Sequence, residues 1–205
     1  MTPGKRLFDI LLAAVLIVLL ALPFALLLLV LLPKDRPLFY RAERMKAPDQ
    51  PFLLWKLRTM APARRNDGVS GGDKSARITP TGRFLRRTRL DEVPQLWNVL
   101  RGDMSFVGPR PPLRGYVQRF PDLYARVLRS RPGITGLATL TLHRHEERLL
   151  ARCATADETD AVYARRCVPR KAHLDLLYQH HRTLCWDAVL VARTVGRAFS
   201  AVARR

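Results

Sequence analysis

Residues Arg83–Pro112 read RFLRRTRLDEVPQLWNVLRGDMSFVGPRPP. One adjacent acid pair, Asp91-Glu92, stands in a run otherwise rich in cations (Arg83, Arg86, Arg87, Arg89, Arg101, Arg110), and the run closes on a Gly-Pro-Arg-Pro-Pro turn. An acid pair set among arginines suits a site where carboxylates, a metal and phosphates coexist. It equally suits a helix start, with Asp91 as N-cap and Glu92, Val93 and Pro94 in the first turn, where acids and proline are favoured. The two readings are compatible, because a helix N-terminus offers free N–H groups and positive potential to a phosphate.

Working outward, Arg83–Leu100 alternates apolar and basic residues in a helical rhythm, with Pro94 opening a new helix. Tyr116–Leu128 is expected as one helix and Arg131–Gly136 (RPGITG) as a turn. His143–Ala164 should be helical in part, and Lys171–His181 and Trp186–Val202 helical. The last of these carries Val191, Val195, Phe199 and Val202 on one face, with Arg193, Arg197, Arg204 and Arg205 elsewhere. Such a basic amphipathic end fits either an anionic membrane or its own domain. Pro33–Met60 reads as extended, turn-rich chain, and Ala61–Thr81, with Gly68, Gly71, Gly72 and Pro80, as a loop.

The other strong signal lies at the N-terminus. Leu7–Leu32 is apolar apart from Asp9 and Pro23, longer than a signal-peptide core and followed by no small-residue cleavage motif. A membrane segment is expected. Pro23 divides it into arms of roughly 24 Å and 14 Å, neither long enough for a hydrocarbon core of about 30 Å. Lys5 and Arg6 precede it and Lys34 and Arg36 follow, as for a hairpin returning to one face. A re-entrant segment is therefore preferred to a spanning one. Asp9 is expected at the interface or paired with Lys5 or Arg6. Lys and Arg total 36 against 17 Asp and Glu, a net charge of +19, which fits anionic lipid, phosphorylated substrates or nucleic acid. The three cysteines have no metal-ligand spacing and are odd in number, so a reducing cytoplasmic setting is the default.

Together, KRLFDI, the proline-interrupted apolar segment, PLFYRAER, FLLWKLRTM, RITPTGRFLRRTRLDEVPQLWNVLRGDMSFVGPRPP, RPGITG and LDLLYQHHRTLCWD make the chain resemble the bacterial sugar transferases, the monotopic polyprenyl-phosphate phosphoglycosyl transferases. The resemblance covers most of residues 4–190. It implies an α/β, mostly helical, small membrane-associated domain with an N-terminal re-entrant, proline-kinked helix and interfacial amphipathic helices. The expected division is a membrane anchor over 1–33, a catalytic domain over 34–190 and a basic tail over 191–205. The implied location is the bacterial inner membrane, with the catalytic domain facing the cytoplasm and inner-membrane lipids as partners.

The implied reaction moves a sugar-1-phosphate from a UDP-sugar donor to a polyprenyl (undecaprenyl) phosphate acceptor, releasing UMP. By the same resemblance, Asp91 is the nucleophile, Glu92 holds Mg²⁺, and Arg110, Arg86, Lys56 and Arg58 bind phosphate or substrate, with Pro111 fixing Arg110 and Pro23 making the kink. An adjacent pair has a physical logic: one carboxylate attacks while the other binds the metal that screens one anion approaching another. Nearby arginines should keep Asp91 ionised. Asp175, Tyr178 and Asp187 match a late motif and are read as structural. The chain departs from the family pattern at Leu22-Pro23, where Ser-Pro is common, and in LATLTLHR after RPGITG. The diverged stretch at 137–170 is expected near the sugar or base.

Three other readings compete. In one Asp91 is a base for direct transfer. In another the chain is a catalytically silent membrane scaffold in polysaccharide assembly. The third, nucleic-acid binding, rests on charge alone and is not expected, since no recognition module is present. Self-association, as a homo-oligomer, is left open.

Overall fold

The computed structural model describes residues 1–33, 37–62 and 72–203. Lys34, Arg36, Gly68, Gly71, Arg204 and Arg205, and the side chains of Phe199 and Val202, lie outside the described residues. The molecule is α/β and mostly helical, with one long apolar N-terminal helix and two small sheets.

Helix α1 (Pro3–Leu31) starts with Thr2 as N-cap and runs through Pro23 as one 29-residue element. At about 1.5 Å per residue it is about 43 Å long. It is long and apolar enough to cross a membrane, and most of it is uncovered: Leu11, Val18, Leu19, Leu22, Leu26 and Leu29 are all exposed. Its first turns behave differently. Lys5 Nζ donates to Asp187 Oδ2 at 2.6 Å, and the Tyr178 hydroxyl donates to Asp187 Oδ1 at 2.5 Å. Arg6 donates to the Val99 and Leu100 carbonyls at 2.6 and 2.7 Å. Asp9 is fully buried and accepts from Ser105 Oγ and the Phe106 N–H, both at 3.1 Å. The expectation of Asp9 at the interface or paired with Lys5 or Arg6 is thus corrected. Lys5 has a distant partner, and Asp9 meets the backbone N–H of an inner strand.

Strands β1 (Phe39–Ala47) and β2 (Gln50–Leu57) form an antiparallel hairpin that pairs Tyr40 with Lys56 and Ala42 with Leu54. Helix α2 (Pro80–Thr88) has Thr79 as N-cap and ends at Arg89, a non-glycine residue in the left-handed region (φ 60°). A single 3₁₀ turn, Leu90–Glu92, leads to α3 (Gln95–Arg101), for which Pro94 is the cap residue. Asp91 is therefore not the N-cap expected from sequence. The left-handed Arg89 reverses the chain and turns both acids inward before the helix begins. Gly102 (φ 84°) closes α3, and Arg6 covers the exposed carbonyls of its last turn.

Strand β3 (Ser105–Val107) pairs in parallel with β4 (Gly133–Thr135), so the RPGITG stretch is part strand rather than only a turn. Between them, the single helix expected over Tyr116–Leu128 is two: α4 (Arg114–Arg119) and α5 (Pro121–Val127). Pro121 excludes Phe120 from helical geometry (φ −131°, ψ 61°) and breaks the run there. Helices α6 (Leu137–Leu150), α7 (Ala156–Val162), α8 (Val168–His181) and α9 (Leu184–Ala203) complete the chain, with one π-helical turn at Tyr163–Cys167. Helix α9 buries Leu190, bonds Thr194 to Thr135 at 2.7 Å, and lays Arg197 on the Leu140 carbonyl.

One apolar core joins Ala13, Phe52, Leu54, Leu96, Val99, Phe106, Leu140, Tyr178 and Leu190. A second packs α4 and α5 against α8. In a third, Leu31 at the far end of α1 meets Leu57 and Leu85, with Phe24, Leu27, Leu28, Leu38 and Leu90 around them.

Asp175, buried on α8, is the exception among these packing residues. Burial pushes its carboxyl up to about 7, against the opposing charge of Lys171. The folded state therefore binds a proton that the unfolded chain, near 3.9, gives up earlier. That contribution to stability is complete below about pH 4 and is lost as pH rises through about 7. Asp175→Asn should gain stability over the parent progressively across that window, by up to about 4 kcal/mol at pH 8. Paired melting curves at pH 4.5 and 8 check this, and a constant difference between the two proteins would rule it out.

Candidate active site

Three sequence motifs converge on the 3₁₀ turn. β2 brings Lys56, α2 brings Arg86, and the β3–α4 loop brings Arg110. Glu92 is the hub. Its Oε1 accepts from Lys56 Nζ and from an Arg110 guanidinium nitrogen, each at 3.2 Å, and its Oε2 accepts from Arg89 at 3.0 Å. Arg86 Nε donates to Thr59 Oγ1 at 2.9 Å, which holds its charge close enough to act on Asp91.

Glycine sets the positions of these elements. A Cβ on Gly82 would lie 2.0 Å from the Thr59 carbonyl oxygen, so α2 seats directly on the strand end that carries Lys56. A Cβ on Gly133 would fall 2.2 Å from Gly108 N, and one on Gly136 would fall 2.2 Å from Gly108 O. Gly108 N donates to Thr135 O and Gly133 N to Pro109 O, at 2.9 and 2.8 Å, which locks the GPRPP loop against RPGITG. Pro111 is buried beside Pro112, whose carbonyl accepts from Met45 N at 3.1 Å. Gly133→Ala should force β3 and β4 apart, move Arg110, and cost at least about 2 kcal/mol. An unchanged melting temperature would contradict this.

Asp91 and Glu92 are each 7% exposed, yet their surroundings differ. Burial opposes ionisation of Glu92, but Lys56, Arg110 and Arg89 outweigh it and hold its carboxyl far below the usual range. No hydrogen bond or ion pair engages the Asp91 carboxylate among the described residues. Burial, and then the neighbouring Glu92, push its pKa up against Lys56, Arg110 and Arg86. The expectation that arginines simply keep Asp91 ionised is refined. The cations are satisfied by Glu92, and Asp91 keeps the higher proton affinity and free lone pairs. Two carboxylates with environments that separate their pKa values mark distinct chemical roles.

The donor set is compatible with Mg²⁺. Glu92 Oε2 takes one donor and retains a lone pair, Asp91 is adjacent, and Mg²⁺ commonly uses one or two carboxylates completed by water and phosphate oxygens. No group of three or more His, Cys, Asp or Glu gathers among the described residues, so the acid pair alone would supply the side-chain ligands.

Arg58 is not brought into this cluster. Its Nε donates to the Pro37 carbonyl at 2.9 Å and its guanidinium lies over Tyr40. Arg89, which is not among the site residues read from the sequence, is a direct partner of Glu92, and the i,i+3 spacing is the signal that points to it. Asn98, which the motif reading passed over, is fully enclosed and clamps β2, accepting from Trp55 N at 3.1 Å and donating to Leu53 O at 2.8 Å. Glu146 and Glu147 of α6 act electrostatically on Arg110 and Arg86, so the diverged stretch borders the cluster.

The chain can be set beside known proteins. It is 43% identical over 104 residues to EpsL of Bacillus subtilis (strain 168), named an uncharacterized sugar transferase, with 51% of each chain covered. It is 35% identical over 167 residues to the UDP-glucose:undecaprenyl-phosphate glucose-1-phosphate transferase of Klebsiella pneumoniae, covering 78% of this chain and 36% of that one. The Caulobacter vibrioides protein of the same name is 43% identical over 141 residues, covering 65% of this chain and 52% of that one. The chain thus spans about half or less of the length of these relatives. A family model described as bacterial sugar transferase matches residues 2–201, and the chain belongs to that family.

Proposed function

We propose that this chain transfers a sugar-1-phosphate from a UDP-sugar to a polyprenyl phosphate through Asp91. The observation that carries the reading is the division of labour between the two acids. Glu92 gathers Lys56, Arg89 and Arg110, and Asp91 beside them has no ion-pair partner among the described residues. A buried carboxylate with raised proton affinity and no donor to quench it is a competent nucleophile. Its oxygen would bond to the sugar-bearing phosphorus while the bond to the bridging oxygen breaks and UMP leaves with that oxygen. A phosphate oxygen of the lipid would then attack the same phosphorus, free Asp91 and form the lipid diphosphate sugar. Lys56, Arg86 and Arg110 neutralise phosphate oxygens in both steps. Mg²⁺, held by Glu92 with Asp91 adjacent, would add Lewis-acid stabilisation of the phosphate charge. Membrane-bound enzyme supplied with UDP-sugars should release UMP and form a lipid product dependent on polyprenyl phosphate; a donor panel yielding neither would refute the reading.

A re-entrant α1 at the inner membrane, with the domain in the cytoplasm, is part of the same proposal. Both ends of α1 rest on one domain, Lys5–Ala13 on the main core and Phe24–Leu31 on Leu57 and Leu85. A helix crossing about 30 Å of hydrocarbon delivers its ends to opposite faces, which one domain cannot cover. Cysteine labelling in intact cells should place both residue 2 and residue 33 on the cytoplasmic side, and periplasmic labelling of either would refute the topology.

A further inference from the structure

A cleft of about 590 Å³ lies along the outer edge of β1, walled on the far side by Leu113–Arg119 of the loop and α4. It approaches the cations around the acid pair at two points. Tyr40, in its wall, is the direct cross-strand partner of Lys56. Arg44, also in its wall, lies close enough to Arg110 for the two guanidinium charges to repel, and the next residue, Met45, bonds the Pro112 carbonyl.

The charges inside are unequally matched. Arg114 is paired with Glu43 at 2.8 and 3.1 Å, and Arg119 with Asp160 at 2.9 Å. Tyr116 gives its hydroxyl to the same Asp160 at 2.6 Å. Arg44 is half-buried, donates to the Glu43 carbonyl, and has no carboxylate partner among the described residues. A cation so enclosed, next to another cation, wants an anion. The remaining lining includes Arg41, Leu113, two tyrosine rings and a strand edge that has no strand partner among the described residues, although its Met45 N–H is taken by the Pro112 carbonyl. Such an edge presents alternating N–H and C=O groups, which suit the hydrogen-bonding edge of a nucleobase.

We propose, resting on the transfer reaction above, that this cleft takes the nucleoside monophosphate half of the donor. Arg44 and Arg110 hold the leaving phosphate, and Tyr40 and the β1 edge hold the nucleoside. The lipid acceptor has a separate approach. Leu57, Leu85 and Leu90, each the chain neighbour of Lys56, Arg86 or Asp91, pack under the membrane helix. Apolar chain therefore reaches the acids from one side and the nucleotide from the cationic cleft.

The test is calorimetric titration of the detergent-solubilised full chain with UMP and with UDP. Arg44→Ala should raise Kd for UMP about tenfold or more. Gly115→Phe is the second variant. Gly115 lines the cleft and a Cβ there meets nothing within 4 Å, so a side chain at this position starts into open space on the cleft wall. It should weaken UMP to a similar degree with an unchanged melting temperature. UMP binding within twofold of the parent in both variants, in a chain that still transfers sugar phosphate, would overturn the cleft assignment alone. A parent chain that neither binds UMP nor transfers sugar phosphate would overturn it together with the proposed function.

Discussion

Asp91→Asn should abolish sugar-phosphate transfer, by at least about a thousandfold, while leaving the fold intact or slightly more stable. The amide is isosteric and cannot form the acyl phosphate. Little is lost structurally, because no donor among the described residues engages the Asp91 carboxylate and its burial already disfavours the charge. Glu92→Gln should behave in the opposite way. It leaves Lys56, Arg89 and Arg110 facing one another without their shared anion. Removing one partner of a buried ion cluster costs about 3–5 kcal/mol, less here in proportion to the partial exposure of Arg89 and Arg110. Stability should fall and donor affinity with it. Melting curves and transfer kinetics on the two variants separate the roles. Equal damage to stability in both, or retained turnover in Asp91→Asn, would contradict them.

The second large effect belongs to Asp187, 1% exposed, which receives Lys5 from α1 and Tyr178 from α8. Asp187→Ala strands both donors and should destabilise the protein by about 3–5 kcal/mol. It should also loosen the first turns of α1 from the domain. The double variant Lys5→Met/Asp187→Leu should recover much of the loss, since a packed apolar pair can replace a buried ion pair at little net cost. If Asp187→Ala melts with the parent protein, the knot is not what seats the helix.

These two sites differ in how far they could be read in advance. The DE pair, its arginines and the flanking GPRPP and RPGITG strings are local, and their residue types announce phosphate chemistry. That Gly108 presses on Gly133 and Gly136 is a contact between distant segments, so both strings look like turns until β3 and β4 are paired. Arg89 was hidden for a similar reason. Its left-handed backbone, rare for arginine, turns the side chain back onto Glu92 instead of outward with Arg83 and Arg87. The apolar N-terminus was plain from composition. The partners of Lys5 and Asp9 were not, because they lie 182 and 96 residues away in the chain. Pro23 suggests two arms, yet the helix continues through it, as neighbouring turns can absorb one missing hydrogen bond.

The most direct test of covalent transfer is the intact mass of the purified protein after incubation with Mg²⁺ and a panel of UDP-sugars, with no lipid acceptor. The expected result is a mass increase of one sugar phosphate, discharged by polyprenyl phosphate and missing in Asp91→Asn. UMP release that requires polyprenyl phosphate, with no adduct at any stage, would contradict Asp91 as nucleophile.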